Sequence, residues 1–486
     1  MSADAPNILL VVMDTARADG FEPYGAAPGD TPVVAQLASS GAAQPHVFAT
    51  ANWTVPSHAS MFSGLQPGAV GLGQAPDGPL GCRRFLEALG PRLLPQVLRS
   101  AGYATAGAST NMWITDKSGF DIGFDTFEVV ESEHRARISD PHWRERLRWD
   151  RDAVRATHDD GAAQVASTLA GWAAGAQRPF FWFVNLTECH SPYLPPRPYN
   201  DLGPIQRLRA GEEARRYLTL GEIWKACLGA MVVPEAALAR MRHLYRRSIR
   251  YMDDWLGRIL ETLEQHGLLE DTVVVVTSDH GENLGESNLL GHAFSLDDRL
   301  VRVPFVTSHA ELLDGRPGGL GARSLADLPA ALCALAGVDD HPYRDVGSVG
   351  GVAVAELEAL VRPDDPRVVE VAEKQWKLDD AGMARLTSSQ WCATDGRTKL
   401  VCTEGHHQVY DLMADPLEVH PLEVDASGTV AGVASDTVAA LRRVGERVMA
   451  RQWEGLESAA QAPTKVEVAP DELEALEEQM RRLGYL

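Results

Sequence analysis

Thr272-Val273-Val274-Val275-Val276-Thr277-Ser278-Asp279-His280-Gly281-Glu282 is the stretch that decides the fold. Four consecutive valines between threonines form a β-branched run without a polar face, which marks a strand covered on both sides. Its apolar character stops at Asp279-His280, so a carboxylate and an imidazole follow the carboxyl end of a buried strand. Two other runs end the same way. Ile8-Leu9-Leu10-Val11-Val12-Met13 stops at Asp14, and Phe180-Phe181-Trp182-Phe183-Val184-Asn185 leads into Glu188 and His190. A carboxylate at such a place is costly unless it pairs, caps a helix or holds a metal.

Between these strands the pattern is helical. Thr31–Ser40 starts on Thr31-Pro32, Thr54–Gly64 carries Pro56 in its first turn, and Pro91–Ala101 and Pro234–His266 keep helical periodicity. Tyr103–Ala108 reads as a short strand, and residues 131–175 as charged and then alanine-rich helices. Strands alternating with helices predict an α/β fold: a large, mostly parallel sheet with helices on both faces and ligands outside the strands' carboxyl ends. The 197–235 stretch reads as irregular, a lid or an insertion. After about residue 350 the pattern changes. Val369–Val371, Trp391–Thr394, Lys399–Cys402 and Gln408–Leu412 are short, turn-separated strand candidates, which predict a small antiparallel α+β subdomain. The expected division is a main α/β domain over 1–350 and a C-terminal subdomain with a helical tail over 351–486. In that tail Leu473, Leu476, Met480 and Leu483 recur at helical spacing, a core-packing stripe.

Composition narrows the function classes. With 486 residues and 45% apolar content the chain can bury a large core. A formal net charge of -22 argues against binding nucleic acid or an anionic membrane, because phosphate-rich surfaces select basic partners. A small anionic substrate stays open, since a bound metal reverses the local field. The six cysteines lack paired spacing, as expected of a reducing compartment. The N-terminal apolar run is too short to span a bilayer, so a soluble, cytoplasmic protein is expected, as a monomer or a homo-oligomer.

A further segment, Asn52-Trp53-Thr54-Val55-Pro56-Ser57-His58-Ala59-Ser60, sets a hydroxyl at the start of a helix whose backbone N–H groups point toward it. Threonine by itself carries no signal. Thr54 together with Asp14 and Asp279-His280 at two strand ends suggests an activated alkoxide. Carboxylates, an imidazole and an alkoxide make a hard-to-borderline site for Zn²⁺, Mn²⁺ or a similar divalent cation.

The same motifs, in order, resemble the sulfatase and phosphonate/phosphodiester hydrolase branch of the alkaline phosphatase superfamily. The resemblance runs through Pro6–Asp19, Trp53–Ser60, Gly119–Asp125, Glu188–Tyr193, Thr277–Glu282, Gly291-His292 to Val303-Pro304, Tyr410–Glu418 and Leu483-Gly484-Tyr485. It implies one divalent metal ion (Mn, Zn or Ca) held by Asp14, Asp279, His280 and Thr54, with Thr54 also the nucleophile. Family sulfatases carry Cys-x-Pro-x-Arg, whose cysteine becomes formylglycine. Here Thr54 and His58 replace the cysteine and the arginine, so no formylglycine is expected, and a metal-lowered hydroxyl pKa takes its place.

Other departures concern the anion. Ala108-Ser109-Thr110-Asn111-Met112-Trp113 stands where family sulfatases have a Gly-Lys-Trp-His-like segment, and His292 stands at a later lysine position. Losing these cations favours a phosphoryl centre over an ordinary sulfate ester. His190 and His292 are candidate general acids, and His58 is expected to orient Thr54 or meet an oxyanion. Asn111 and Arg17 are candidate substrate contacts. Thr15 replaces a second aspartate, and no Asp-x-x-x-His provides a second metal. The expected activity is hydrolysis of a small anionic ester such as a phosphodiester or phosphonate ester. The alternatives are transfer of a phospho or sulfo group to an acceptor, and a binding protein without chemistry.

Overall fold

The computed structural model describes residues 5–75, 78–132, 137–138, 142–310, 312, 321–343, 347–361, 372, 375–422, 430 and 432–461. The strand expected over Val369–Val371, the helical tail over 471–486 and the Leu483-Gly484-Tyr485 match lie outside the described residues.

The three apolar runs become adjacent strands at the middle of a seven-stranded sheet. Its order is Ala42–Ala43, Phe305–Thr307, Thr272–Thr277, Asn7–Met13, Phe180–Leu186, Ala104–Ser109 and Thr126–Val129. The central pairings are parallel, and Val12 lies opposite Thr277 on one side and Asn185 on the other. This register brings the three polar strand ends to one edge. Successive residues alternate between two cores: Leu9, Val11, Met13, Val274 and Val276 enter one, and Ile8, Leu10, Val12, Val273 and Val275 enter the other. Helix Glu235–Gln265 packs in the first core and helices Thr54–Ser63 and Gly78–Leu89 in the second. Both faces of the sheet are therefore covered, and burying each valine side chain contributes roughly 1.5–3 kcal/mol.

The sheet is not wholly parallel. Phe305–Thr307 runs antiparallel to Thr272–Thr277 and to Ala42–Ala43. These segments are two or three residues long, too short to carry a periodic signal. The 197–235 stretch also differs from its irregular reading, because it contains helices Pro204–Tyr217 and Leu220–Cys227. The first of them, PIQRLRAGEEARRY, buries only a narrow stripe of Ala210, Ala214 and Tyr217 and makes its close approach at a glycine. Gly211 gives its carbonyl to the Trp149 indole at 2.9 Å, and a Cβ there would come within 2.7 Å of the Ala153 Cβ.

A second, four-stranded antiparallel sheet follows, in the order Ala353–Leu357, Gln390–Thr394, Thr398–Thr403 and His406–Asp411. It shares a small apolar core with Phe48, Leu296 and Leu300 of the main body. Lys399, fully buried, fastens the joint: its Nζ lies 2.7 Å from Glu418, 3.4 Å from Asp298 and 2.5 Å from the Leu296 carbonyl. All six cysteines are buried thiols. Among the described residues no helix is long and apolar enough to cross a membrane.

Candidate active site

The carboxyl edge of the sheet gathers Asp14, Asp279 and His280, whose ligand-type atoms all lie within 4.8 Å of one another in a fully buried cluster. Asp14 extends its strand by one ladder bond, its N–H donating to the Leu186 carbonyl at 2.8 Å. The chain then turns through Thr15, which holds a left-handed φ of 60°, a strained conformation for a non-glycine residue. That turn is braced on all sides. The Thr15 N–H donates to Asp279 Oδ1 at 3.1 Å, the Tyr245 hydroxyl donates to the Thr15 carbonyl at 2.7 Å, and the Ala16 N–H donates to Ser278 Oγ at 2.9 Å. Gly281 is needed for close approach, since a Cβ there would meet the Arg299 carbonyl at 2.0 Å.

The donor set fits a divalent cation. Asp279 Oδ1 accepts two backbone N–H groups, from Thr15 and from His280, whereas the buried Oδ2 has no hydrogen-bond partner. The His280 Nδ1–H donates to the Gly281 carbonyl at 2.9 Å, which leaves Nε2 as a lone pair. That lone pair faces Asp279 Oδ2 at 3.3 Å and Thr54 Oγ1 at 3.4 Å. A carboxylate oxygen and an imidazole lone pair this close in a buried site are unfavourable unless a cation joins them. Burial, followed by the neighbouring His292, drives the His280 pKa well below its ordinary value, so the ring is neutral and able to ligate. Burial raises Asp279 to about 6 when no cation is bound.

Thr54 is the first residue of helix Thr54–Ser63, and the helix is held against the cluster by the Ser57 hydroxyl, which donates to the Asp279 carbonyl at 2.6 Å. His58 lies one turn on and is completely buried, enclosed by the rings of Phe62, Phe120 and Phe183 at 6.0 to 6.5 Å. Its Nδ1–H donates to the Thr54 carbonyl at 3.0 Å, and Nε2 accepts from Asn185 Nδ2 at 3.3 Å. Burial lowers its pKa, so the ring sits neutral beneath Thr54. The box is not purely aromatic, since Asp279 Oδ2 lies 3.5 Å from Nδ1.

His190 and His292 stand together beside the cluster, both half-buried. Their ring centroids are 5.2 Å apart, and His292 lies 4.6 Å from His280. His292 Nδ1 pairs with Glu282 at 3.0 Å. Burial pulls the His292 pKa down, but Glu282 and then Asp14 and Asp279 outweigh it, and the net shift is upward. His190 donates from Nδ1 to the Ser191 carbonyl at 3.0 Å.

Two sequence candidates are engaged elsewhere. The Arg17 guanidinium pairs with Asp19 and Glu286, both at 2.7 Å, and fastens the loop after the first strand. The Asn111 side chain is turned inward: Nδ2 donates to Asp14 Oδ2 at 2.7 Å and Oδ1 accepts the Trp113 N–H at 2.8 Å. Asn185 was legible only as a polar residue ending an apolar run, yet it also donates to Asp14 Oδ2, at 3.3 Å.

The sulfatase family model matches residues 6–337, and the chain belongs to the sulfatase family. It is 27% identical over 270 residues to a choline-sulfatase of Rhizobium meliloti strain 1021, a match that spans 52% of this chain and 48% of that one, about half its length. It is 23% identical over 444 residues to YidJ, an uncharacterized sulfatase of Escherichia coli strain K12, covering 86% and 83% of the two chains. Among solved structures, the phosphonate monoester hydrolase of Agrobacterium radiobacter superposes with a TM-score of 0.59 at 22% identity, over 96% of this chain and 99% of that one. The phosphonate monoester hydrolase of Silicibacter pomeroyi gives 0.63 at 19% identity, over 93% and 97%. At these identities the structural likeness establishes the fold.

Proposed function

We propose that the chain is a metal-dependent ester hydrolase that attacks the phosphoryl centre of a phosphodiester, phosphonate ester or related small molecule with the Thr54 hydroxyl. The observation that carries this reading is the position of Thr54 Oγ1, 3.4 Å from His280 Nε2 and against the Asp14–Asp279–His280 cluster. A cysteine at this position would be the precursor of formylglycine; a threonine can act only as the hydroxyl. The replacement of basic side chains around it by His58, Asn111 and His292, with Arg17 neutralised, further favours a phosphoryl centre.

A divalent ion held by Asp14, Asp279, His280 and Thr54 would lower the hydroxyl pKa and neutralise charge on the phosphoryl oxygens. Thr54 Oγ1, its proton released to solvent, attacks phosphorus in line, forming an O–P bond while the bond to the ester oxygen breaks. His190 or His292 gives a proton to the departing oxygen. The positive end of helix Thr54–Ser63 faces the charge that develops there. Water then gives a proton to that histidine and attacks the phosphorylated Thr54; the Oγ1–P bond breaks, releasing the product acid and returning Thr54 Oγ1 to its starting state.

Two results are expected. Prolonged chelation should remove activity, and re-addition of Mn²⁺, Zn²⁺ or Ca²⁺ should restore it; full activity in protein shown by elemental analysis to be metal-free would refute the metal's role. His190→Ala should slow hydrolysis of an alkyl ester by about 10²-fold or more, but that of an activated 4-nitrophenyl ester by less than about 10-fold. Equal losses on both esters would remove His190 from the acid role.

A further inference from the structure

Asp14 Oδ2 receives two side-chain amides at once. Asn111 Nδ2 donates to it at 2.7 Å and Asn185 Nδ2 at 3.3 Å. The orientation of both amides is set by their other partners. Asn111 Oδ1 accepts the Trp113 N–H, and Asn185 Oδ1 accepts the Ser109 hydroxyl at 3.4 Å. Ser109, which ends the strand Ala104–Ser109, also accepts the Asn111 N–H at 3.0 Å, so one residue ties the two asparagines together. All four residues are buried.

Building on the metal site proposed above, we infer that Asn111 and Asn185 are a pair of positioning residues that fix the rotation of the Asp14 carboxylate and thereby tune which divalent cation the site prefers. Two amides on one carboxylate oxygen satisfy it without adding charge and stop the group from turning about its Cβ–Cγ bond. Asn185 extends the same restraint to the nucleophile helix, because its Nδ2 also reaches His58 Nε2. Asp279 is held in the corresponding way by two backbone N–H groups on its Oδ1. A rigid carboxylate pair favours a small ion with few, short ligand bonds such as Zn²⁺, whereas Ca²⁺ takes more and longer bonds in flexible coordination.

The test is metal affinity measured by chelator competition on metal-stripped protein, for wild type, Asn111→Ser and Asn185→Leu, with Zn²⁺ and with Ca²⁺ in parallel. Wild type should bind both ions, and Asp14→Ala should weaken both. Each asparagine variant should lose about 10- to 100-fold in Zn²⁺ affinity and much less in Ca²⁺ affinity, so that the Zn²⁺/Ca²⁺ preference falls. Affinities unchanged, or reduced by the same factor for both ions in the variants that fold, would overturn the inference while leaving the metal site standing. Wild type that binds neither ion would instead overturn the metal site itself. The two substitutions lie on different strand ends, so misfolding of one leaves the other to decide, and circular dichroism identifies the folded variant.

Discussion

Thr54→Ala should abolish turnover, by on the order of 10³-fold or more, while the protein stays folded and keeps most of its metal affinity. The side chain is buried at the start of helix Thr54–Ser63, and removing its hydroxyl and methyl deletes one polar contact and little apolar area. A stability change of about 1 kcal/mol is therefore the scale to expect. The side chains of Asp14, Asp279 and His280 are carried by other segments and are untouched. Loss of the nucleophile leaves only binding and electrostatic effects, which give small residual catalysis. Thr54→Ser keeps a hydroxyl at the same place and should retain a measurable fraction of the activity. Steady-state kinetics, thermal denaturation and metal content measured on one preparation separate these effects. An alanine variant with wild-type kcat would end the nucleophile assignment.

Asp279→Asn should produce a comparable loss by another route. Asp279 Oδ1 accepts the N–H groups of Thr15 and His280, and an amide oxygen can replace it there. The change falls on Oδ2, which faces the lone pair of His280 Nε2 at 3.3 Å. An amide NH₂ at that position can donate to Nε2, so it would occupy the very lone pair that a cation needs. Metal affinity should drop by at least about 10²-fold and activity with it. In the metal-free state the variant should be no less stable than wild type, because a buried carboxylate facing another acceptor has been removed. Thermal melts with and without chelator test this directly. Chelator should lower the wild-type midpoint and leave the Asp279→Asn midpoint in place; equal metal-dependent shifts in both proteins would show that Asp279 is not a ligand.

The residues of the site were legible to different degrees. Asp14 and Asp279-His280 stood out because apolar β-branched runs are local features, and a charge that ends one is conspicuous. Thr54 was legible from its place at a helix start marked by Pro56. Arg17 and Asn111 had the right chemistry for an anion, but side-chain direction depends on neighbours distant in sequence. Arg17 is neutralised both by Asp19, two residues on, and by Glu286, far along the chain, and Asn111 faces a carboxylate 97 positions earlier. The short strands are too brief to carry a period, and in helix Pro204–Tyr217 the buried stripe of Ala210, Ala214 and Tyr217 is small and surrounded by charged residues.

The sequence by itself determined that three buried strands end in polar residues, that the sheet between them is mostly parallel, and that a threonine starts the helix marked by Pro56. Those are consequences of patterning and residue identity along short stretches. Tertiary structure alone decided that Val12 lies level with Asn185 and Thr277, which sets Asp14, Asn185 and Asp279 side by side. It also decided that Asn111 and Asn185 grip the Asp14 carboxylate rather than a substrate, and that His58 is a neutral, enclosed support under Thr54. Strand register and side-chain partners arise from packing between segments about a hundred residues or more apart, and no local pattern encodes them.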